Sequence, residues 1–126
     1  MCSILGLIDF SSSDKSKNEK IFSVNRLLKH RGPDDEGYYN DKLVALAFNR
    51  LSIMDLTKGN QPIIKKHIIS IFNGEIYNFK EIRAELINHG HKFETNSDSE
   101  VVSTAFLQWG IKCVEKFNGM FAIAVY

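Results

Sequence analysis

Long apolar runs are missing from this 126-residue chain. The longest, residues 120–126, spans seven positions, whereas a membrane-crossing helix needs about 20. No basic segment precedes an apolar stretch at the N-terminus, so a secretory signal is not expected. Excess charge is missing as well. Sixteen Lys and Arg against fifteen Asp and Glu leave a net charge of +1, which gives no electrostatic case for nucleic acid or for a membrane surface. Cysteine is scarce: Cys2 and Cys113 make neither a disulfide framework nor a metal site. A reducing, cytoplasmic setting is therefore expected. Repeats, linkers and low-complexity tracts do not occur, and no glycine-rich phosphate loop offers a site for ATP.

What is present is an ordinary globular composition, 44% hydrophobic and 25% charged, in a length that suits one domain with a real core. The run Ile4-Leu5-Gly6-Leu7-Ile8 within residues 3–10 predicts a buried strand. Residues 11–17 are polar and serine-rich, a predicted loop. Ile21, Val24, Leu27 and Leu28 recur at helical spacing and predict an amphipathic helix over 18–30, which Gly32, Pro33 and Gly37 interrupt. Tyr38-Tyr39 and residues 43–54 predict paired strands turning at Asn40-Asp41-Lys42, with 43–48 apolar throughout as in a strand covered on both faces. After a loop at 57–62, residues 67–72 predict another strand, running into the turn-prone Asn73-Gly74-Glu75. A helix over 79–88 buries Phe79, Ile82 and Leu86 and stops at Gly90. A second begins at Ser97, which has capping-box spacing to Glu100, and buries Val101, Val102, Ala105, Phe106 and Trp109.

The final run after Gly119 predicts a buried strand, and its apolar edge would need a cover. The expectation is the front part of a longer, layered mixed domain.

Cys2 carries the most chemical information. If Met1 is removed, which the small residue behind it permits, Cys2 holds a thiol nucleophile and a free α-amine. Such an amine titrates at roughly 7.7–8.0 and suits general-base work near neutrality. A small core residue opening a strand is the competing account. His89-Gly90-His91 suggests a metal less well than two solvent-facing histidines at a helix end. Cys113 suits a buried small hydrophobe.

Seven segments taken together are specific: Met1-Cys2-Ser3-Ile4-Leu5-Gly6, His30-Arg31-Gly32-Pro33-Asp34, Asn49-Arg50-Leu51-Ser52-Ile53-Met54-Asp55, Gln61-Pro62, Phe72-Asn73-Gly74-Glu75-Ile76-Tyr77-Asn78, Asn96-Ser97-Asp98-Ser99-Glu100 and Phe117-Asn118-Gly119-Met120-Phe121-Ala122. In this order along the chain they resemble the glutaminase domain of glutamine-dependent asparagine synthetases, within the class II glutamine amidotransferases. The resemblance implies an α+β N-terminal-nucleophile hydrolase fold, an αββα sandwich of two antiparallel sheets between helical layers. Residues 1–126 would form a single partial domain, C-terminally incomplete, with the synthetase domain absent.

The same resemblance implies the site. Cys2 would attack the side-chain amide of L-glutamine, with Asn73 and Gly74 as oxyanion donors. Arg50 would bind the α-carboxylate, Asp98 the α-ammonium with help from Glu75, and the backbone of Leu51, Ser52, Ile53 and Met54 would line the pocket. Residues 31–37 would shape or cover it. Read locally, Asn73-Gly74 is instead the strongest two-residue hairpin signal. Arg50 equally suits a strand-end salt bridge, and Asp98 a first-turn acid at a helix N-terminus. No metal or cofactor is expected in this segment; ATP and Mg are expected in the missing synthetase domain, in cis or in trans. A homodimer is expected of the full-length protein, with no nucleic-acid or membrane partner. Glutamine–sugar-phosphate transaminases, amidophosphoribosyltransferases and glutamate synthases share the nucleophile. A relative with another ammonia acceptor, or a non-catalytic remnant that binds glutamine or a partner, are the other readings.

Overall fold

Side-chain alternation on one strand sets the stacking of the layers. The computed structural model describes residues 2–11, 14–52 and 60–126. Strand β1 (Ser3–Ile8) leads to helix α1 (Asp14–Leu27), a 3-10 turn (Lys29–Arg31), β2 (Asp35–Asn40) and β3 (Val44–Arg50). Then come β4 (Ile63–Lys65), β5 (Ile68–Ile76), helices α2 (Phe79–Asn88) and α3 (Asp98–Trp109), a 3-10 segment (Gly110–Lys116) and β6 (Gly119–Val125). The strands form two antiparallel three-stranded sheets, ordered β1-β3-β2 and β4-β5-β6.

All seven residues of β3 are buried. Ala45 and Ala47 pack with Ile21 of α1, while Val44, Leu46 and Phe48 pack with Ile71 of the second sheet. A strand with period 2 can do this only if both of its faces are covered. The opposite face of β5 supplies Phe72 and Ile76 to a third cluster with Ile82 and Leu86 of α2 and Val101, Val102 and Ala105 of α3. The layer order is thus α1, first sheet, second sheet, then α2 and α3, the expected αββα sandwich.

Several local expectations change. Helix α1 starts four residues earlier than periodicity suggests, at Asp14, and its buried stripe is Lys17, Ile21 and Asn25. Val24 and Leu27 stay exposed. Tertiary partners outweigh hydrophobic pattern here: buried Lys17 donates to the carbonyl of Asp41, and Asn25 joins a polar cluster under β3. Strand β3 ends at Arg50; the rest of the predicted strand at Ile53 and Met54, and the loop at 57–59, lie outside the described residues. Strand β4 was not expected; it hairpins onto β5 through Lys66 at φ 55°. Asn73-Gly74-Glu75 is no turn. It continues β5 and pairs with Ala122, Phe121 and Met120 of β6. Strand β6 itself is only partly covered, with Met120 67% exposed.

The two helices and their boundaries are as expected. Gly90 takes a positive φ of 89° behind α2, and Ser97 caps α3 by accepting from the Glu100 N–H at 3.4 Å. The capping box is half made. Instead of returning to Ser97, the Glu100 carboxylate accepts from the backbone N–H groups of Glu94 and Thr95, the Thr95 hydroxyl and Lys65 Nζ (2.9 Å). Burial pulls the Glu100 carboxyl upward, but the Lys65 ammonium and the Thr95 and Glu94 donors outweigh it and hold it below the ordinary value. Cys113 is buried, and that burial pushes its thiol up to about 11. His91 hydrogen-bonds Gln108 at 2.7 Å and His89 lies edge-on to Trp109.

Candidate active site

A cavity of about 380 Å³ opens between the sheets at one end of the sandwich. Cys2 and Arg50 reach it from the first sheet, Asn73, Gly74 and Glu75 from β5, and Asp98 from the start of α3. The two halves are in place because Cys2 directly precedes β1 while Arg50 ends the antiparallel strand beside it, Ser3 opposing Asn49. One strand's beginning meets the other's end.

The Cys2 sulfur is held by the backbone of Leu51, whose N–H donates to it at 3.3 Å and whose carbonyl lies 3.6 Å away. Arg31 Nε donates to the Cys2 carbonyl at 3.4 Å, so the 31–37 segment does abut the nucleophile's residue. Beneath, Asn49 donates to Ser3 Oγ (3.0 Å) and to Asn25 Oδ1 (2.9 Å), and Asn25 donates to the Tyr38 hydroxyl (2.9 Å). Buried amides left unpaired would cost about 1–3 kcal/mol each, so this network fixes β1 against β3. Gly32 is needed there. A Cβ on it would meet the Asn49 carbonyl at 2.4 Å.

Strand alternation explains how β5 presents donors. Ile69 exchanges both backbone bonds with Tyr126, and Tyr77 donates to Asn118. Odd-numbered residues of β5 therefore bond β6, and even-numbered ones point to the other edge. On that edge Phe72 is bound by the side chain of Gln61 and the Ile76 N–H by Asp98 Oδ2 at 3.2 Å. The Gly74 N–H lies between them, directed into the cavity. Gly74 has φ 152°, and a Cβ there would stand 2.1 Å from the Met120 carbonyl oxygen. Only glycine allows β6 to pass this close.

Among the described residues, the charges in the cavity are one guanidinium and two carboxylates. Arg50, 8% exposed, donates through Nη1 to Asn60 Oδ1 at 3.0 Å. Burial raises the Asp98 carboxyl above its ordinary value, against the Ile76 N–H bond that lowers it, and the Glu75 carboxylate adds to the rise. An ammonium bound there would relieve this penalty. The arrangement suits a zwitterion: carboxylate on Arg50, ammonium on Asp98 and Glu75.

Of the expected pocket residues, Leu51 lines the cavity, whereas Ser52 is absent from its lining and donates its N–H to Asp34 Oδ2 at 2.6 Å. Ile53 and Met54 lie outside the described residues. Gln61, Ser97 and Ser99 also line it. Sequence reasoning assigned them no site role, although Gln61, Ser97 and Ser99 all stood within the recognised segments.

This two-sheet sandwich, with a cysteine ahead of its first strand facing an Asn-Gly edge, is the architecture of an amidotransferase glutaminase. The chain belongs to the glutamine amidotransferase domain family, whose profile matches residues 1–126. Among curated proteins it is 40% identical over 130 residues to asparagine synthetase [glutamine-hydrolyzing] 2 of Bacillus subtilis (strain 168), covering 100% of this chain and 17% of that protein. It is 39% identical over 129 residues to asparagine synthetase B [glutamine-hydrolyzing] of Escherichia coli (strain K12), covering 100% of this chain and 23% of that one. The chain thus spans about a fifth of the length of these relatives. A solved glutamine phosphoribosylpyrophosphate amidotransferase from B. subtilis shares the fold, with a TM-score of 0.54 and 18% identity over 65% of this chain and 21% of that one.

Proposed function

We propose that this domain hydrolyses the side-chain amide of L-glutamine and supplies ammonia to an ATP-dependent asparagine synthetase domain, in cis or in trans. The observation that carries the reading is one shared cavity, which Cys2 and Arg50 line from the first sheet, Asn73, Gly74 and Glu75 from β5, and Asp98 from the start of α3. Arg50 and Asp98 hold the two ends of the amino-acid backbone, leaving the side-chain amide for Cys2.

In the mature form, with Met1 removed, the Cys2 sulfur attacks the amide carbon. Its proton passes to the Cys2 α-amine and then to the departing nitrogen. The carbon–nitrogen bond breaks, ammonia leaves, and a thioester joins Cys2 to the γ-glutamyl group. Water then cleaves the thioester, regenerating the thiol and releasing glutamate. The Asn73 amide and Gly74 N–H stabilise the oxyanion in both steps, each such donor contributing about 2.7–4 kcal/mol of barrier lowering. The donor set suits an amino acid, not a nucleotide, so ATP and magnesium belong to the synthetase domain. A reducing cytoplasm is the compartment that keeps Cys2 a free thiol.

The test is inactivation by a glutamine-like electrophile, such as a diazo-ketone analogue. It should label Cys2, be slowed by glutamine, and vanish in Cys2→Ala. Labelling confined to Cys113 would remove the assignment, and full glutaminase activity with Met1 retained would remove the amine as base.

A further inference from the structure

We infer that Gln61 is a positioning residue for glutamine hydrolysis: it ends the β4 ladder with its side chain so that the edge of β5 is held at Phe72 and left open at Gly74. The inference rests on the glutaminase reading of this cavity.

The register shows what Gln61 replaces. Ile63 of β4 opposes Ser70 of β5. Had β4 continued, the backbone of Gln61 would oppose Phe72, and the residue two further back would cover Gly74. Instead the chain leaves the sheet at Pro62, and the side-chain amide of Gln61 makes the bonds a neighbouring strand would have made. Its Nε2 donates to the Phe72 carbonyl at 3.0 Å, and its Oε1 accepts from the Phe72 N–H at 2.5 Å. A side chain serves one residue of the edge and stops, whereas a strand would continue along it.

Gln61 also joins the two sheets. Its own carbonyl lies so close to Gly37 of β2 that a Cβ on that glycine would stand 1.6 Å from it. The residue is 8% exposed, and it borders the cavity. Backbone packed on the first sheet and a side chain bonded to the second set the distance between the Cys2 side and the Asn73–Gly74 side. A misplacement of about 1 Å between reacting groups can cost a hundredfold in rate. Both polar atoms of the Gln61 amide are engaged by Phe72, so its effect belongs on kcat.

The experiment compares the full-length enzyme with Gln61→Met, which keeps length but removes both bonds, and Gln61→Glu, which keeps only the acceptor for the Phe72 N–H. Glutamate release should show kcat lowered about tenfold to a hundredfold in both variants, with the KM for glutamine within about threefold of wild type. Amide hydrogen exchange at residues 72–74 should be faster in each, measured alongside melting curves that establish a folded protein. A folded variant with unchanged kcat, or one altered only in KM, overturns the inference. Wild-type protein that releases no glutamate sinks the glutaminase reading instead. Exchange at residues 72–74 then decides the clasp alone, and unchanged exchange refutes it.

Discussion

Replacing Gly74 with alanine should cost this domain more in catalysis than in stability. The added methyl would lie 2.1 Å from the Met120 carbonyl oxygen and 2.6 Å from the Phe121 Cα, where ordinary contact begins at 3.4 Å. Both neighbours are backbone of β6, so no side-chain rotation relieves the clash. The strands must part by about 1 Å, and the φ of 152° adds a conformational penalty of about 1–3 kcal/mol. A movement of that size carries the Gly74 N–H and the Asn73 amide away from the oxyanion position. Loss of one such donor lowers kcat by about 10²–10³. Arg50 and Asp98 sit on other elements, so the KM for glutamine should move little. The assay is glutamate release by full-length protein at saturating glutamine, beside thermal melting. Gly90→Ala is the control: Gly90 has φ 89° but nothing within 4 Å of the added methyl. It should lose only the conformational part of that stability, about 1–3 kcal/mol, and keep its activity. A folded Gly74→Ala enzyme with kcat within about threefold of wild type would refute the claim that this close approach fixes the oxyanion donor.

Two further variants concern charge. Asp98→Asn should weaken glutamine binding by roughly tenfold or more, since hydrogen bonds to charged groups contribute about 1.5–3 kcal/mol, read as KM or as a titration. The same variant should melt higher than wild type at neutral pH, because the folded-state carboxyl is raised by burial. A raised group stabilises the fold only when protonated, so the advantage should shrink as pH falls toward that value; a lower melting temperature at neutral pH would contradict the burial penalty. Glu100 has the opposite sign. Its carboxyl is held below the ordinary value by Lys65 and the Thr95 and Glu94 donors despite its burial, so its contribution is present above about pH 4.3 and lost as pH falls through the folded value. Glu100→Gln should therefore melt lower than wild type at pH 7 and approach it in acid; parallel curves at all pH values would exclude this linkage.

Most of the order of strands and helices was legible, where an element is bounded by residues with a local reason to start or stop it. Gly90 stops α2, and Ser97 starts α3. The doubly covered nature of β3 was equally visible in its unbroken apolar run. Local pattern failed where a tertiary partner outweighed it. The buried stripe of α1 includes Lys17 and Asn25, since an Asp41 carbonyl and the Asn49 amide satisfy them. Apolar Val24 and Leu27 are left outside. Strand β4 was missed at three residues, too short for a period to show.

Sequence by itself determined the chemistry on offer: a thiol beside the chain start, a guanidinium after an apolar strand, an Asn-Gly pair and a capped acidic helix start. What the Asn-Gly pair does was decided only in three dimensions. Its dihedral preference is that of a hairpin, and nothing local opposes a turn. Pairing with β6 across seven residues makes it strand, and the early end of β4 beside it leaves the edge at Gly74 open to the cavity that Cys2 also lines. Such an edge exists only because two separate segments of chain stop or pass at the right distance, and no short stretch of sequence encodes a distance between segments.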